Sequence, residues 1–389
     1  MEFLRHFTPN WFTVGMGTGI VAITAYLYPG GRPWMTGVGT AIWIFNTVLV
    51  GTLLLLIMAR WVINWHGLVT ILQNPVQSMF LGAIPMAVTT VVNGFVDMGP
   101  ALIGHLAISI ALWLWMANVL LAVVSGIAVP FFMFVSHTHT VDKLTGLWLM
   151  PVVPAEVTAA SVGTLIPHIA GLDAERSLMV VGLGLWAFSV PLAFLMLGFL
   201  FLRLALYRLP PAEMAISTWI SLGTLGTGIM GLIDIGRILP RIVGPIGFTM
   251  EGAAVMISFA LWGFGLWWLA LSVLTTLYTA RRHLPFNLGW WGLTFPLGVF
   301  TGGTDLLYDQ LHVPVLAWIA HALFFLLVGF FVLVLARTLV ELLTGRLSFS
   351  GTLRQSSAVT PRGVAGPSRP PLRVDPTRRS LLVRKKRRL

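Results

Sequence analysis

The chain has 389 residues, of which 57% are hydrophobic and only 10% charged, with no cysteine and a formal net charge of +11. A soluble globule carries about 25% charged residues, so this composition excludes one, and the lack of cysteine excludes disulfides, thiolate metal sites and a cysteine nucleophile. The positive excess is local: residues 1–343 hold 12 basic and 12 acidic side chains, whereas residues 344–389 hold 12 basic ones against Asp375 alone.

Ten apolar segments near the ~20 residues needed to cross a bilayer follow one another: Trp11–Leu27, Val38–Ala59, Gln77–Phe95, His105–Ile127, Trp148–Ala170, Leu178–Arg203, Glu213–Ile233, Ala253–Thr276, Phe286–Thr304 and Val315–Arg337. Gly, Pro, Ser and Thr make up 37 of 99 residues in the odd-numbered segments and 20 of 118 in the even ones. Small residues let membrane helices approach closely, and Leu, Phe and Trp suit lipid. The pattern predicts an all-α polytopic membrane protein whose odd helices form an inner ring. Short connections at Val96–Gly99 and Asp173–Glu175 predict antiparallel neighbours, hence ten transmembrane helices in five hairpins around a central path.

The residues before the first segment lack a basic n-region and a small-residue cleavage site, so no removable signal peptide is expected. Connections on one side hold Arg5, Arg60, Lys143, Arg203, Arg208, Arg281 and Arg282, against Arg32, Arg176, Arg237 and Arg241 on the other. By the positive-inside rule both termini are expected in the cytoplasm of a plasma or inner membrane. Residues 1–343 read as one transmembrane domain, and 344–389 as a disordered Pro- and Arg-rich cytoplasmic tail. Its closing run Arg384–Lys385–Lys386–Arg387–Arg388 suits anionic lipid head groups; with no aromatic in it, nucleic acid is not expected.

Each odd segment carries a stripe of small residues. In chain order these are Gly15, Gly19 and Ala22; Gly82, Met86 and Thr89; Pro154, Thr158 and Ser161; Ser217, Ser221, Thr224, Gly228 and Gly231; and Phe295, Gly298, Gly302 and Asp305. Steps of three and four keep each set on one face. A single such stripe reads as a packing face, but five alternating with five greasy helices read as the lining of a central pathway, with Gly15, Gly19, Thr89, Thr158, Ser161, Ser221, Thr224, Gly228 and Gly298 as its candidate lining residues. Pro85, Pro154 and Pro296 are expected to kink their helices, freeing carbonyls beside a cavity. Phe295 alone on a small face reads first as a core aromatic. Glu156, an acid inside a span, reads equally as a proton site or as an early-turn carboxylate. His105, His168 and His321 show no ligand spacing, so neither a metal nor a cofactor is expected.

Three motifs stand in order: Pro9–Asn10–Trp11–Phe12 with Met16–Gly17–Thr18–Gly19–Ile20; Trp148–Leu149–Met150–Pro151–Val152–Val153–Pro154; and Trp290–Trp291–Gly292–Leu293–Thr294–Phe295–Pro296–Leu297–Gly298. Over about residues 6–343 the chain resembles the tellurite-resistance and C4-dicarboxylate transporter family, which includes plant slow-type anion channels and fungal malate and sulfite transporters. The resemblance implies a pore in each subunit of a homotrimer, occluded by Phe295 as gate. It implies passage of small anions such as malate, sulfite, chloride or nitrate. A proton-coupled dicarboxylate, sulfite or tellurite-resistance exporter is the alternative. An enzyme is disfavoured because no nucleophile–base pair or paired carboxylates appear at recognisable spacing.

Overall fold

The computed structural model describes residues 7–28, 30–31 and 33–347. Among them are thirteen α-helices: α1 Phe12–Tyr26, α2 Pro33–Ile63, α3 Trp65–Gln73, α4 Ala83–Asp97, α5 Gly99–Ile103, α6 Leu106–Val135, α7 Pro154–Leu165, α8 Leu172–Tyr207, α9 Ile220–Gly236, α10 Leu239–Val243, α11 Ile246–Ala280, α12 Phe295–Leu311 and α13 Pro314–Leu343. They fall within one compact unit, Met1–Leu353, whereas Arg354–Leu389, which carries most of the expected basic tail, lies outside the described residues. Seven stretches are long and apolar enough to cross a membrane: α2, α6, α8, α11 and α13, and α4 and α9 together with the turns that lead into them.

The odd segments are not single helices as expected. Each of α1, α4, α7, α9 and α12 is preceded by a 3-10 segment, at Pro9–Trp11, Ser78–Gly82, Gly146–Leu149, Ala212–Trp219 and Leu288–Leu293. Pro85, Pro154 and Pro296 stand third, first and second in α4, α7 and α12, where a missing N–H costs no intrahelical bond. The bend expected at each is therefore a change from 3-10 to α winding. Asp173 and Glu175, expected in a connection, lie in the first turn of α8 behind Gly171 at φ 102. Glycine tolerates that left-handed backbone, and the two carboxylates favour the positive end of the helix dipole.

Burial follows the compositional alternation. In α1, 14 of 15 residues are buried and in α7, 11 of 12, against 7 of 31 in α2 and 9 of 30 in α6. The greasy helices bury one narrow seam each. In α2 it is Gly39, Trp43, Asn46, Val50, Leu53, Ile57 and Arg60, steps of four and three that match a 3.5-residue repeat. The rest of α2 exposes Ile44, Phe45, Val48 and Leu55, a surface that suits hydrocarbon and not water.

Close contacts fix how the small-residue helices run. The segments ending in α7 and α9 meet at Gly146 with Ser217, Glu156 with Thr227 and Gly163 with Asp234, every pair 71 positions apart; these two helices are parallel and in register. The same rising order joins α1 to α4 (Gly15 with Ala87, Gly19 with Thr90) and α4 to α7 (Gly82 with Met150, then Thr89 and Thr158, which share Asn118). It also joins α9 to α12 (Gly226 with Phe300, Ile229 with Gly303) and α12 to α1 (Thr294 with Gly17, Gly298 with Ile20). Five parallel helices thus close on themselves. In each gap between consecutive members sits one greasy helix: α2 packs on α1 and α4, α6 on α4 and α7, α8 on α7 and α9, α11 on α9 and α12, and α13 on α12 and α1.

Polar members of the seams fasten the two layers. The Trp43 indole donates to the Val91 carbonyl and the Asn46 amide to Thr90 Oγ1 (3.3 and 3.0 Å); Asn118 donates to both Thr89 Oγ1 and Thr158 Oγ1 (2.9 and 3.0 Å). Trp115 donates to the Thr158 carbonyl, Ser189 to that of Val152 and Trp262 to Thr304 Oγ1. Away from water such bonds have little competition, and each contributes about 0.6 kcal/mol, up to about 2. Asn118→Leu, which removes two at once, is expected to destabilise the detergent-purified protein by about 1–2 kcal/mol; an unchanged thermal unfolding midpoint would contradict the clasp.

Candidate functional site

A cavity of about 500 Å³ is lined by Pro9, Phe80, Leu147, Ile216 and Leu288, one residue from each of the five 3-10 segments. A space touching all five members of a closed ring lies on its axis, so this cavity is a vestibule at the N-terminal ends of the inner helices. Its polar lining includes Thr13, Gln77, Ser217 and Asn287, and its charged member is Glu213. Hydrogen bonds hold this rim: Thr13 donates to the Asn10 carbonyl (2.6 Å), with the Leu288 carbonyl also in reach at 3.2 Å, and Asn287 accepts from the Gly289 N–H (2.8 Å) and donates to the Glu213 carbonyl (3.1 Å).

Helix N-termini carry about half a positive charge, each worth about 0.3–1 kcal/mol to a nearby anion. Five of them converge here. Glu213 opposes them, but it is exposed, and a water-screened unit charge at 4 Å costs about 1 kcal/mol. On balance the vestibule favours an anion.

Phe295, 2% exposed, is the first residue of α12 and follows Gly292 of the vestibule lining by three positions; it stands about one turn below that floor. Ser221 is likewise one turn below Ser217, and Thr224 nearly one more. Ser161, Ser221 and Thr224 are buried, and among the described residues their hydroxyl oxygens have no hydrogen-bond partner. The other lining candidates are placed differently. A Cβ at Gly15 would strike Val50, at Gly19 Thr90, at Gly298 Ile20 and at Gly228 would press on Leu261, so at each of these four the Cβ side faces a neighbouring helix. Thr89 and Thr158 donate to the carbonyls of Pro85 and Pro154 and accept from Asn118, so both are turned toward α6.

Glu156 is the third residue of α7 and fully buried. Its Oε1 accepts from Thr227 (2.8 Å), while Oε2 has no partner and no cation pairs with it among the described residues. Arg237 pairs with Asp309 (3.7 Å) and Arg241 with Glu175 (2.9 Å). Sequence reasoning missed Asn46 and Asn118, because it scored the greasy segments by composition; following their 3.5-residue seam finds both.

A closed ring of buried helices, wrapped by apolar ones and opening on one vestibule, defines an integral membrane protein of the channel and transporter class. Residues 6–339 match the family described as SLAC1, voltage-dependent anion channel, and the chain belongs to it. It is 33% identical over 323 residues to the sulfite efflux pump SSU1 of Trichophyton rubrum, covering 80% of this chain and 84% of that protein. An uncharacterized transporter of Methanocaldococcus jannaschii is 28% identical over 351 residues (89% and 96%). The malic acid transport protein of Schizosaccharomyces pombe is 21% identical over 308 (75% and 68%). Anion transport is the function common to the family, the sulfite efflux pump and the malic acid transport protein.

Proposed function

We propose that small anions, sulfite and malate among them, move along the axis of the five inner helices, from the vestibule past Phe295 and then along the hydroxyls of Ser221, Thr224 and Ser161. Ten helices cross the membrane as five hairpins, since parallel inner neighbours need a returning helix between them. Both termini and the vestibule face the cytoplasm, and Phe295 is the gate. Three copies assemble, each with its own path, as the family resemblance implies. The single observation that carries this reading is the vestibule built from all five helix N-termini. Among the described residues no Lys or Arg lies along the path, so weak hydroxyl binding favours conduction over tight capture. Purified protein in a planar bilayer should carry sulfite, malate, chloride or nitrate current under voltage alone; silence toward every one of them ends the reading.

Glu156 supports a second reading, proton coupling. A fully buried carboxyl with one bare oxygen is suited to bind and release a proton as an anion passes. A pH gradient imposed across liposomes should then drive malate uptake in the native protein and fail in Glu156→Gln. Equal uptake by both removes the coupling and leaves the channel.

A further inference from the structure

A second cavity, of about 740 Å³, lies beside the vestibule. Val76, Leu147 and Met214, all apolar, line both. The second cavity holds what the first lacks, namely the basic groups Lys143, Arg203 and His139, together with Asp142, Trp148 and Tyr207.

These groups are held in place. Arg203, 3% exposed, donates from Nε and one terminal nitrogen to the Asp142 carbonyl (3.1 and 2.8 Å) and from the other to the Arg208 carbonyl (2.6 Å). It thereby fixes the loop that bears Lys143, which makes no ion pair among the described residues. His137 hydrogen-bonds through Nε2 to the Leu72 carbonyl (2.7 Å) and through Nδ1 to His139 Nε2 (3.2 Å). A carbonyl only accepts, so His137 Nε2 is the donor in its bond to Leu72. The His139 ring rests edge-on against Trp148, with centroids 4.8 Å apart.

We propose that this cavity is an antechamber, in which Lys143, Arg203 and His139 gather a small carboxylate or oxyanion from solution before it crosses the Val76–Leu147–Met214 wall into the vestibule. The proposal rests on the anion-passage reading above. Attraction of this kind concentrates the anion without adding a strong site on the axis. Burial, then His137 and Lys143, push the proton affinity of His139 below the ordinary histidine value of 6.5. Its charge is therefore absent at neutral pH and is gained on acidification, against the opposing Lys143 and Arg203 charges and with that of Asp142.

Lys143 is the only lysine before the tail, so its acylation by a water-soluble amine reagent reports this cavity alone. With full-length protein in liposomes, malate should slow labelling of Lys143 by a factor of about 1 + [malate]/Kd, relative to a bulky impermeant anion at equal ionic strength, and leave Lys385 and Lys386 unprotected. Protection should deepen about twofold or more as the pH falls from 7.5 to well below the ordinary histidine value of 6.5, and His139→Gln should abolish that increase. Lys143→Gln should raise the half-saturating malate concentration for flux roughly three- to tenfold, with Lys143→Arg restoring it. Unprotected Lys143, or half-saturation unmoved in Lys143→Gln, overturns the antechamber. Protection in a protein that passes no anion would keep the site and refute the passage reading instead.

Discussion

Phe295→Ala should conduct far better than the native protein. The ring is 2% exposed, begins α12 and stands one turn beneath the vestibule floor at Gly292. In the gate proposed above, moving the ring aside costs side-chain strain and lost packing, and truncation removes that barrier. A barrier of roughly 1.4–2.8 kcal/mol corresponds to about a ten- to hundredfold rise in flux. Chloride or malate flux into liposomes, normalised to correctly folded protein by gel filtration, measures it. Flux equal to the native value in well-folded Phe295→Ala removes the residue from the gate.

Gly82→Ala and Gly146→Ala should be the most damaging single-methyl additions in the molecule. A Cβ at Gly82 would lie 1.9 Å from the Met150 carbonyl oxygen, and one at Gly146 the same distance from that of Ser217. Both obstacles are backbone, so no rotamer change relieves them and two inner helices must part. Overpacking costs about 1–3 kcal/mol where side chains can adjust, and more where they cannot; we expect at least about 3 kcal/mol. Thermal unfolding of purified variants should fall by several degrees. Gly51→Ala in α2 and Gly263→Ala in α11 meet nothing within 4 Å and should leave the midpoint unchanged or raise it, through the better helix propensity of alanine. A midpoint for Gly146→Ala that matches Gly51→Ala would contradict the tight parallel contact.

The inner and outer layers were legible because they differ in what the alternating helices must touch. A helix surrounded by helices needs Gly, Ser and Thr, and one facing lipid does not, so a plain composition count separated α1, α4, α7, α9 and α12 from their neighbours. The same count is blind to direction around a helix. It could not tell that the Cβ sides of Gly15, Gly19, Gly228 and Gly298 face Val50, Thr90, Leu261 and Ile20. It also passed over Asn118, one polar side chain in a segment of Leu, Trp and Val, although its place on the seam decides which helices it joins. The 3-10 starts escaped because hydropathy does not register winding; the clustered prolines at Pro9, Pro85, Pro151 and Pro154, and Pro285 were their trace.

The α portions of the inner ring are only 12 to 17 residues long, about 18–26 Å at 1.5 Å per residue, while the enclosing helices of 30 to 36 residues outreach the ~30 Å hydrocarbon layer. On the proposed path the vestibule brings the aqueous phase inward, so the dry septum left for an ion to cross is thinner than the bilayer around it. Nearly all of the transmembrane potential, about 2.3 kcal/mol per charge for each 100 mV, then falls across that septum. For an anion on the proposed path, voltage then acts where the ion is least hydrated, and reversing its sign reverses the electrical driving force.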